Sequence, residues 1–167
     1  VQTPRPSGVP PVSELLSAMS ETLKYVSGKT YWMTLAVAQL DPQQRILQYW
    51  SAGAPVGFII SPDGKTESLK SGGSPLGSPD VVFASSSREL KNGECLCLYT
   101  DGVFEFTTRN GMKFGIRRFQ KLVAEVVKSK PGAGAQEIRD QIALELKKQQ
   151  TDSAQEDDIS FVLLKCN

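Results

Sequence analysis

Two acidic stretches in the sequence carry residue types that could hold a metal ion. Asp101 and Gly102 directly follow the apolar run "CLCLYT", and Asp157 and Asp158 directly precede the run "ISFVLLK". Carboxylate oxygens are the ligands that Mg²⁺ and Mn²⁺ prefer in proteins. If the two runs are neighbouring antiparallel strands, the end of one lies beside the start of the other. The carboxylates of both stretches could then converge on one cation.

Each stretch also has an interpretation without metal chemistry. An Asp-Gly pair favours a two-residue turn between two strands, although a short helical turn after Gly102 fits the sequence equally well. Asp157 and Asp158, with Glu156 beside them, could form a solvated loop. Each pair of these like charges repels by about 4 kcal/mol at 4 Å and a dielectric of 20, which water or a bound cation relieves. The residues alone leave both interpretations open.

The composition excludes several other kinds of chemistry. The chain contains no histidine, which rules out a Ser-His-Asp triad and zinc sites with histidine ligands. A net charge of +1 argues against binding to nucleic acid, and no apolar run is long enough to span a membrane. We expect Cys95, Cys97 and Cys166 to be free thiols of a cytoplasmic protein.

Hydrophobic periodicity predicts an α+β fold. A flexible lead-in, residues 1–11, is followed by a helix that ends near Gly28. Three hairpins are predicted around the turns "DPQQ", "SPDGK" and "KNGE", then two helices separated by "SKPGAGA", and a final strand. Strands grouped together, rather than alternating with helices, indicate antiparallel sheets.

Several ordered motifs resemble the SpoIIE-type (stage II sporulation E, RsbU-like) branch of the PPM, or type-2C, metal-dependent serine/threonine phosphatases of bacteria. The segment "GGSPLG" is similar to the family's Gly-x-Pro-Leu-Gly loop, and "GECLCLYTDGVFE" to its Gly-Asp-x-Leu-x-Leu-Tyr-Thr-Asp-Gly-Val-x-Glu pattern. The segment "GMKFGIRRF" resembles the helix start Gly-x-x-Phe-Gly-x-x-Arg-Leu, and "QEDDISFV" resembles the closing Gln-x-Asp-Asp-Ile-Thr-Leu-Val.

The resemblance implies an antiparallel β-sandwich flanked by helices, with two Mn²⁺ or Mg²⁺ ions at one end. Asp101 and Asp157 would be metal ligands, while Gly102, Asp158 and Gly53 would shape the site. The implied reaction is metal-assisted hydrolysis of phosphoserine. The implied substrate is a phosphorylated anti-anti-sigma factor or a similar regulator, controlled by an upstream sensor domain.

The sequence also departs from the family pattern. The two acidic motifs of the family's first half are absent, so residues 12–167 are expected to be the C-terminal part of the domain, with an incomplete metal site. Ala54 stands where the family has the histidine of Asn-Ala-Gly-His. The alternative function is therefore a degenerate, non-catalytic module that binds a signalling partner. In either case, missing strands would leave apolar sheet edges that favour pairing with another chain, including a second copy.

Overall fold

A computed structural model describes residues 11–150 and 158–167. The elements, in chain order, are α1 Val12–Ser27, β1 Leu35–Asp41, β2 Ile46–Ala52, β3 Phe58–Ile60, β4 Thr66–Ser68, β5 Ser85–Glu89, β6 Cys95–Tyr99, the 3₁₀ turn Asp101–Val103, α2 Ile116–Ser129, α3 Ala135–Gln149 and β7 Phe161–Lys165. They form two compact units. The first contains the described residues up to Val56 together with Leu69–Leu90, and the second contains Gly57–Ser68 with the described residues after Leu90.

The first unit combines α1 with a three-stranded antiparallel sheet in the order β1-β2-β5. Helix α1 ends as predicted, because Gly28 adopts a left-handed conformation and its N–H donates to the Lys24 carbonyl. Asp41 closes the first hairpin by accepting hydrogen bonds from the two N–H groups that follow Pro42 in the turn. The core of the unit is formed by Leu16, Trp50, Ala52 and Leu76.

The second unit contains a four-stranded antiparallel sheet in the order β4-β3-β6-β7, with α2 and α3. Its core includes three aromatic rings: the Phe58 ring meets those of Tyr99 and Phe119 edge-on, at centroid distances of 5.6 and 6.0 Å. Helix α2 turns an apolar face toward this core, which explains its predicted helical spacing. Both predicted helices and the last strand are confirmed.

The predicted hairpin at "KNGE" is wrong. Strand β5 pairs with β2, whereas β6 pairs with β3 and β7, so the strands on either side of this turn belong to different sheets. Asn92-Gly93 does form a tight turn, in which the Glu94 N–H donates to the Lys91 carbonyl. However, the Gly93 N–H donates to the Cys166 carbonyl, beyond the end of β7. The Asn-Gly pair therefore specified a tight turn but not the strand with which β6 pairs.

The α+β class and the antiparallel sheets are confirmed. The three cysteines are free and buried, as expected from the sequence. Burial raises the pKa of the Cys97 thiol to about 12, so this thiol is neutral and poorly nucleophilic at physiological pH. No helix within the described residues is both long and apolar enough to span a bilayer.

Candidate functional site

The end of β6 lies beside the start of β7. This is the arrangement that would bring the two acidic stretches close together. Tyr99, the last residue of β6, is opposite Phe161, the first residue of β7. One residue further on, the Thr100 N–H donates to the Ser160 carbonyl at 3.0 Å. The Thr100 hydroxyl also lies 3.2 Å from the Asp158 carbonyl, to which it can donate. Residues 100–102 and 158–160 therefore lie together at one end of the sheet, where β6 ends and β7 begins. This end is called the β6–β7 edge below.

Asp101 begins a single 3₁₀ turn and does not close a hairpin. Its carbonyl accepts hydrogen bonds from the N–H groups of Phe104 and Glu105, at 2.9 and 3.0 Å. The predicted Asp-Gly hairpin is thus wrong. The alternative, a short helical turn, is correct in kind, but the turn begins at Asp101 and not after Gly102. The side chain of Asp101 is exposed, and its Oδ1 accepts the Gly102 N–H at 3.1 Å. A carboxylate at this strand end is accessible to a ligand from solvent.

Gly102 is buried because another segment of backbone passes directly over it. A Cβ atom added at Gly102 would lie 2.3 Å from the Asp158 carbonyl oxygen, a distance that real side chains do not tolerate. Only glycine therefore allows the two backbones to come this close. The structure brings Asp101, Gly102 and Asp158 together at this point, and the side chain of Asp158 is exposed. Asp157, the other predicted metal ligand, lies outside the described residues.

A second contact links the segment after Asp101 to the chain on the other side of residues 151–157. Thr108 forms an antiparallel bridge with Gln150, the residue that follows α3. The Arg109 Nε–H also donates to the Gln150 carbonyl at 3.1 Å. Residues 100–109 thus contact the chain on both sides of the segment that contains Asp157. Seven residues separate Gln150 from Asp158 in the sequence.

The sequence analysis missed the local structure that makes this second contact. Residues 106–114 form a short hairpin, defined here as the 106–114 hairpin, with a bridge between Thr107 and Lys113. Phe106 and Phe114 stack at its base with a centroid distance of 4.8 Å, and both are buried. The sequence did contain a signal for this hairpin, because an Asn-Gly pair, here Asn110-Gly111, is common in hairpin turns.

Gly53 belongs to the first unit, where the backbone requires glycine. Its φ is +71°, and an added Cβ would lie 2.6 Å from Cγ of Pro75. The Gly53 N–H donates to the Gly73 carbonyl at 2.9 Å, which holds the "GGSPLG" loop against the end of β2. These contacts hold Gly53 and the "GGSPLG" loop together and explain why position 53 is glycine. The expected site-shaping role of Gly53 stays a prediction.

The donor atoms at the β6–β7 edge fit a hard divalent cation in type, but they do not make a complete site. Asp101 and Asp158 supply only oxygen atoms, which suit Mg²⁺ or Mn²⁺. Over residues 11–150 and 158–167, no three carboxylate, imidazole or thiol groups come close enough together to hold a metal. A two-metal site would need Asp157 and further ligands in addition to the described residues.

Comparison with protein families gives one match that covers almost the whole chain. The family model described as "Stage II sporulation protein E (SpoIIE)" matches residues 5–167. Among curated proteins, the chain is 29% identical over 161 residues to Protein IcfG of Synechocystis sp. (strain ATCC 27184 / PCC 6803 / Kazusa). This alignment covers 93% of the chain but only 25% of that protein, so the chain spans about a quarter of its relative's length.

The solved structures with a similar fold include phosphatase domains. The chain resembles the structure of the RsbU and RsbW domains of Rv1364c from Mycobacterium tuberculosis with a TM-score of 0.74 and 26% identity, over 94% of this chain and 42% of that chain. It also resembles the phosphatase domain of the cell fate determinant SpoIIE from Bacillus subtilis, presoaked with Mn, with a TM-score of 0.58 and 19% identity, over 96% of this chain and 68% of that chain.

Proposed function

Because the chain belongs to the stage II sporulation protein E family, we propose that it is the C-terminal part of a metal-dependent phosphoprotein phosphatase domain. In this proposal, Asp101 and Asp157 are ligands of Mn²⁺ or Mg²⁺, and Asp158 and Gly102 hold the two strand ends together. The whole site would be completed by ligands from outside residues 12–167. A SpoIIE structure with Mn presoaked supports a divalent metal for the family, although that relative is only 19% identical to this chain.

The observation that carries the proposal is the contact between the Gly102 and Asp158 backbones. The two acidic stretches are more than 50 residues apart in sequence, yet an added Cβ at Gly102 would overlap the Asp158 carbonyl. The Thr100 hydroxyl reinforces the same contact. A tight glycine contact is the expected way to bring a carboxylate that follows one strand close to a carboxylate that precedes the next.

The described residues would hold a carboxylate in a fixed position and supply negative charge for a bound cation. A bound divalent cation would supply an activated water and neutralise charge on the phosphoryl group. Asp101 would hold its carboxylate at a fixed place because the 3₁₀ turn and the Oδ1 contact with the Gly102 N–H restrict its rotation. Its exposure leaves space for a phosphoserine to approach from solvent.

The finer assignments rest on the family resemblance. We propose a phosphorylated anti-anti-sigma factor or a similar bacterial regulator as the substrate, an upstream sensor domain as the controlling partner, and the cytoplasm as the location. The Rv1364c structure contains an RsbU domain together with an RsbW domain, which supports a signalling role for a relative that is 26% identical. The three buried free thiols are compatible with a reducing compartment.

The test is hydrolysis of p-nitrophenyl phosphate and of a phosphoserine peptide by the full-length protein that contains this chain. We expect hydrolysis that depends on Mn²⁺ or Mg²⁺ and that Asp101→Asn nearly abolishes, because an amide is a neutral and weaker ligand. Asp140→Asn is a matched control, since Asp140 lies on α3 and pairs with Arg139. Unchanged activity of Asp101→Asn would show that the site assignment is wrong.

The second candidate is a non-catalytic module with the phosphatase fold. Two observations favour it: Ala54 replaces the histidine of the family's motif, and the described residues contain no group of three metal-binding side chains. The residues of the full-length protein outside this chain distinguish the two candidates. If they also lack the acidic first-half motifs, and the protein hydrolyses neither substrate, the binding module is the better account.

A further inference from the structure

The second unit has an open groove of about 620 Å³ between α2 and α3. Its apolar lining is formed by Phe114, Leu122 and Val126. Phe114 is also the last residue of the 106–114 hairpin, so the groove begins where that hairpin ends. Gln149 lines the same end of the groove, and the next residue, Gln150, accepts the hydrogen bond from Arg109.

Two cations, Arg118 and Lys121, line this end of the groove, and two carboxylates, Glu125 and Glu145, line it at positions four residues from Lys121 and from Gln149. From Phe106 to Ala124 the chain has no acidic residue, and its cations are Arg109, Lys113, Arg117, Arg118 and Lys121. The whole chain, by contrast, has nearly balanced charge, with 19 basic and 18 acidic residues. This run of cations is therefore a local feature.

The two cations in the first turn of α2 do not stabilise the helix. Arg117 and Arg118 lie there, no acidic residue does, and positive charge is unfavourable at a helix N-terminus. Within the described part of the chain, no carboxylate forms an ion pair with Arg118. Lys121 approaches only Glu125, at 3.8 Å, and both side chains are largely exposed. Such a pair contributes little and can exchange partners.

We propose that the α2–α3 groove docks an acidic, amphipathic segment of the phosphoprotein substrate, and this inference rests on the proposed function. The apolar side of such a segment would cover Phe114 and Leu122, while its carboxylates would pair with Arg118 and Lys121. Arg109 would extend the positive surface toward the β6–β7 edge. The groove thereby adds affinity and selectivity without taking part in hydrolysis.

Binding is measured first, by fluorescence anisotropy of labelled peptides added to the chain. The probe is a 16-residue helical peptide with Leu at spacings of three and four residues and Glu elsewhere; the control peptide has Lys in place of each Glu. We expect the Glu peptide to bind at least about tenfold more tightly than the Lys peptide, and less tightly as salt is raised. Equal binding of the two peptides would overturn the proposal.

The double variant R118E/K121E tests the position of the docking site. We expect it to weaken binding of the Glu peptide by about tenfold or more and to improve binding of the Lys peptide. The matched control is R139E, which lies on α3 but does not line the groove. A loss that is equal in both variants, or absent in R118E/K121E, would place the peptide elsewhere. Circular dichroism of each variant verifies the fold.

Hydrolysis by the full-length protein separates this inference from the proposed function. For a phosphoserine peptide fused to the Glu segment, R118E/K121E should raise KM about tenfold, with kcat and the rate on p-nitrophenyl phosphate unchanged. An unchanged KM would refute the docking site while leaving the phosphatase activity intact. If the wild-type protein hydrolyses neither substrate, the proposed function fails, and the peptide-binding result still decides whether the groove is a docking site.

Discussion

Gly102 is the residue at which sequence and site geometry are most closely connected. The backbone of Asp158 covers Gly102 and leaves no room for a Cβ atom. Glycine is required here because of this close contact, and not because the backbone is left-handed. An Asp-Gly pair is common in turns, and its sequence therefore did not distinguish a hairpin from a close backbone approach. The sequence left the hairpin and a short helical turn equally open, and the structure has a helical turn.

Replacing Gly102 with alanine should destabilise the second unit. The added methyl group would meet backbone atoms that cannot rotate away, and overpacking of this kind costs about 1–3 kcal/mol. The free energy of unfolding, measured in urea, should fall by this amount for Gly102→Ala. Gly132→Ala is the control, because a Cβ there meets nothing within 4 Å. Equal stability of the two variants would mean that residues 102 and 158 do not touch.

At the scale of elements, the sequence predicted the helices and most strands correctly but not all of the pairing. Helix α1, with its Gly28 stop, and the hairpin of β1 and β2 depend on local signals that the sequence states directly. The pairing of β6 with β7 joins residues 62 to 70 positions apart and has no local signal. The sequence analysis considered this pairing only as a condition under which the two acidic stretches would meet. The failed hairpin between β5 and β6 shows the same limit, since turn chemistry does not specify a distant partner.

The end strands of the second sheet make a prediction about association. Strand β7 ends the described sheet on one side, and its Val162 side chain is 64% exposed. An apolar end strand favours pairing with another strand, so we expect light scattering to give a mass above the 18.2 kDa of one chain.

A charge on that strand should oppose the association. Val162→Lys is expected to shift the mass toward the monomer, whereas Leu144→Lys, at a half-exposed position on α3, should not. A wild-type chain that is strictly monomeric at all concentrations would contradict this account of the edges.

For the molecule as a whole, the chain corresponds to only part of the relatives that it matches. The chain spans a quarter of Protein IcfG and 42% of the Rv1364c chain, so its relatives contain further segments. The described residues provide one end of a sheet with exposed oxygen donors, and the groove between α2 and α3 lies in the same unit. No propensity or periodicity in this sequence could supply the ligands that a complete two-metal site requires.

The most direct test of the central claim is paramagnetic broadening of backbone amide signals by Mn²⁺, measured by NMR on the ¹⁵N-labelled chain. This measurement detects weak binding, which an incomplete ligand set would give. We predict that the amides of residues 100–102 and 158–160 broaden first, and that Asp101→Asn removes the effect. Broadening centred elsewhere, or unchanged in Asp101→Asn, would contradict a metal site between these two strand ends.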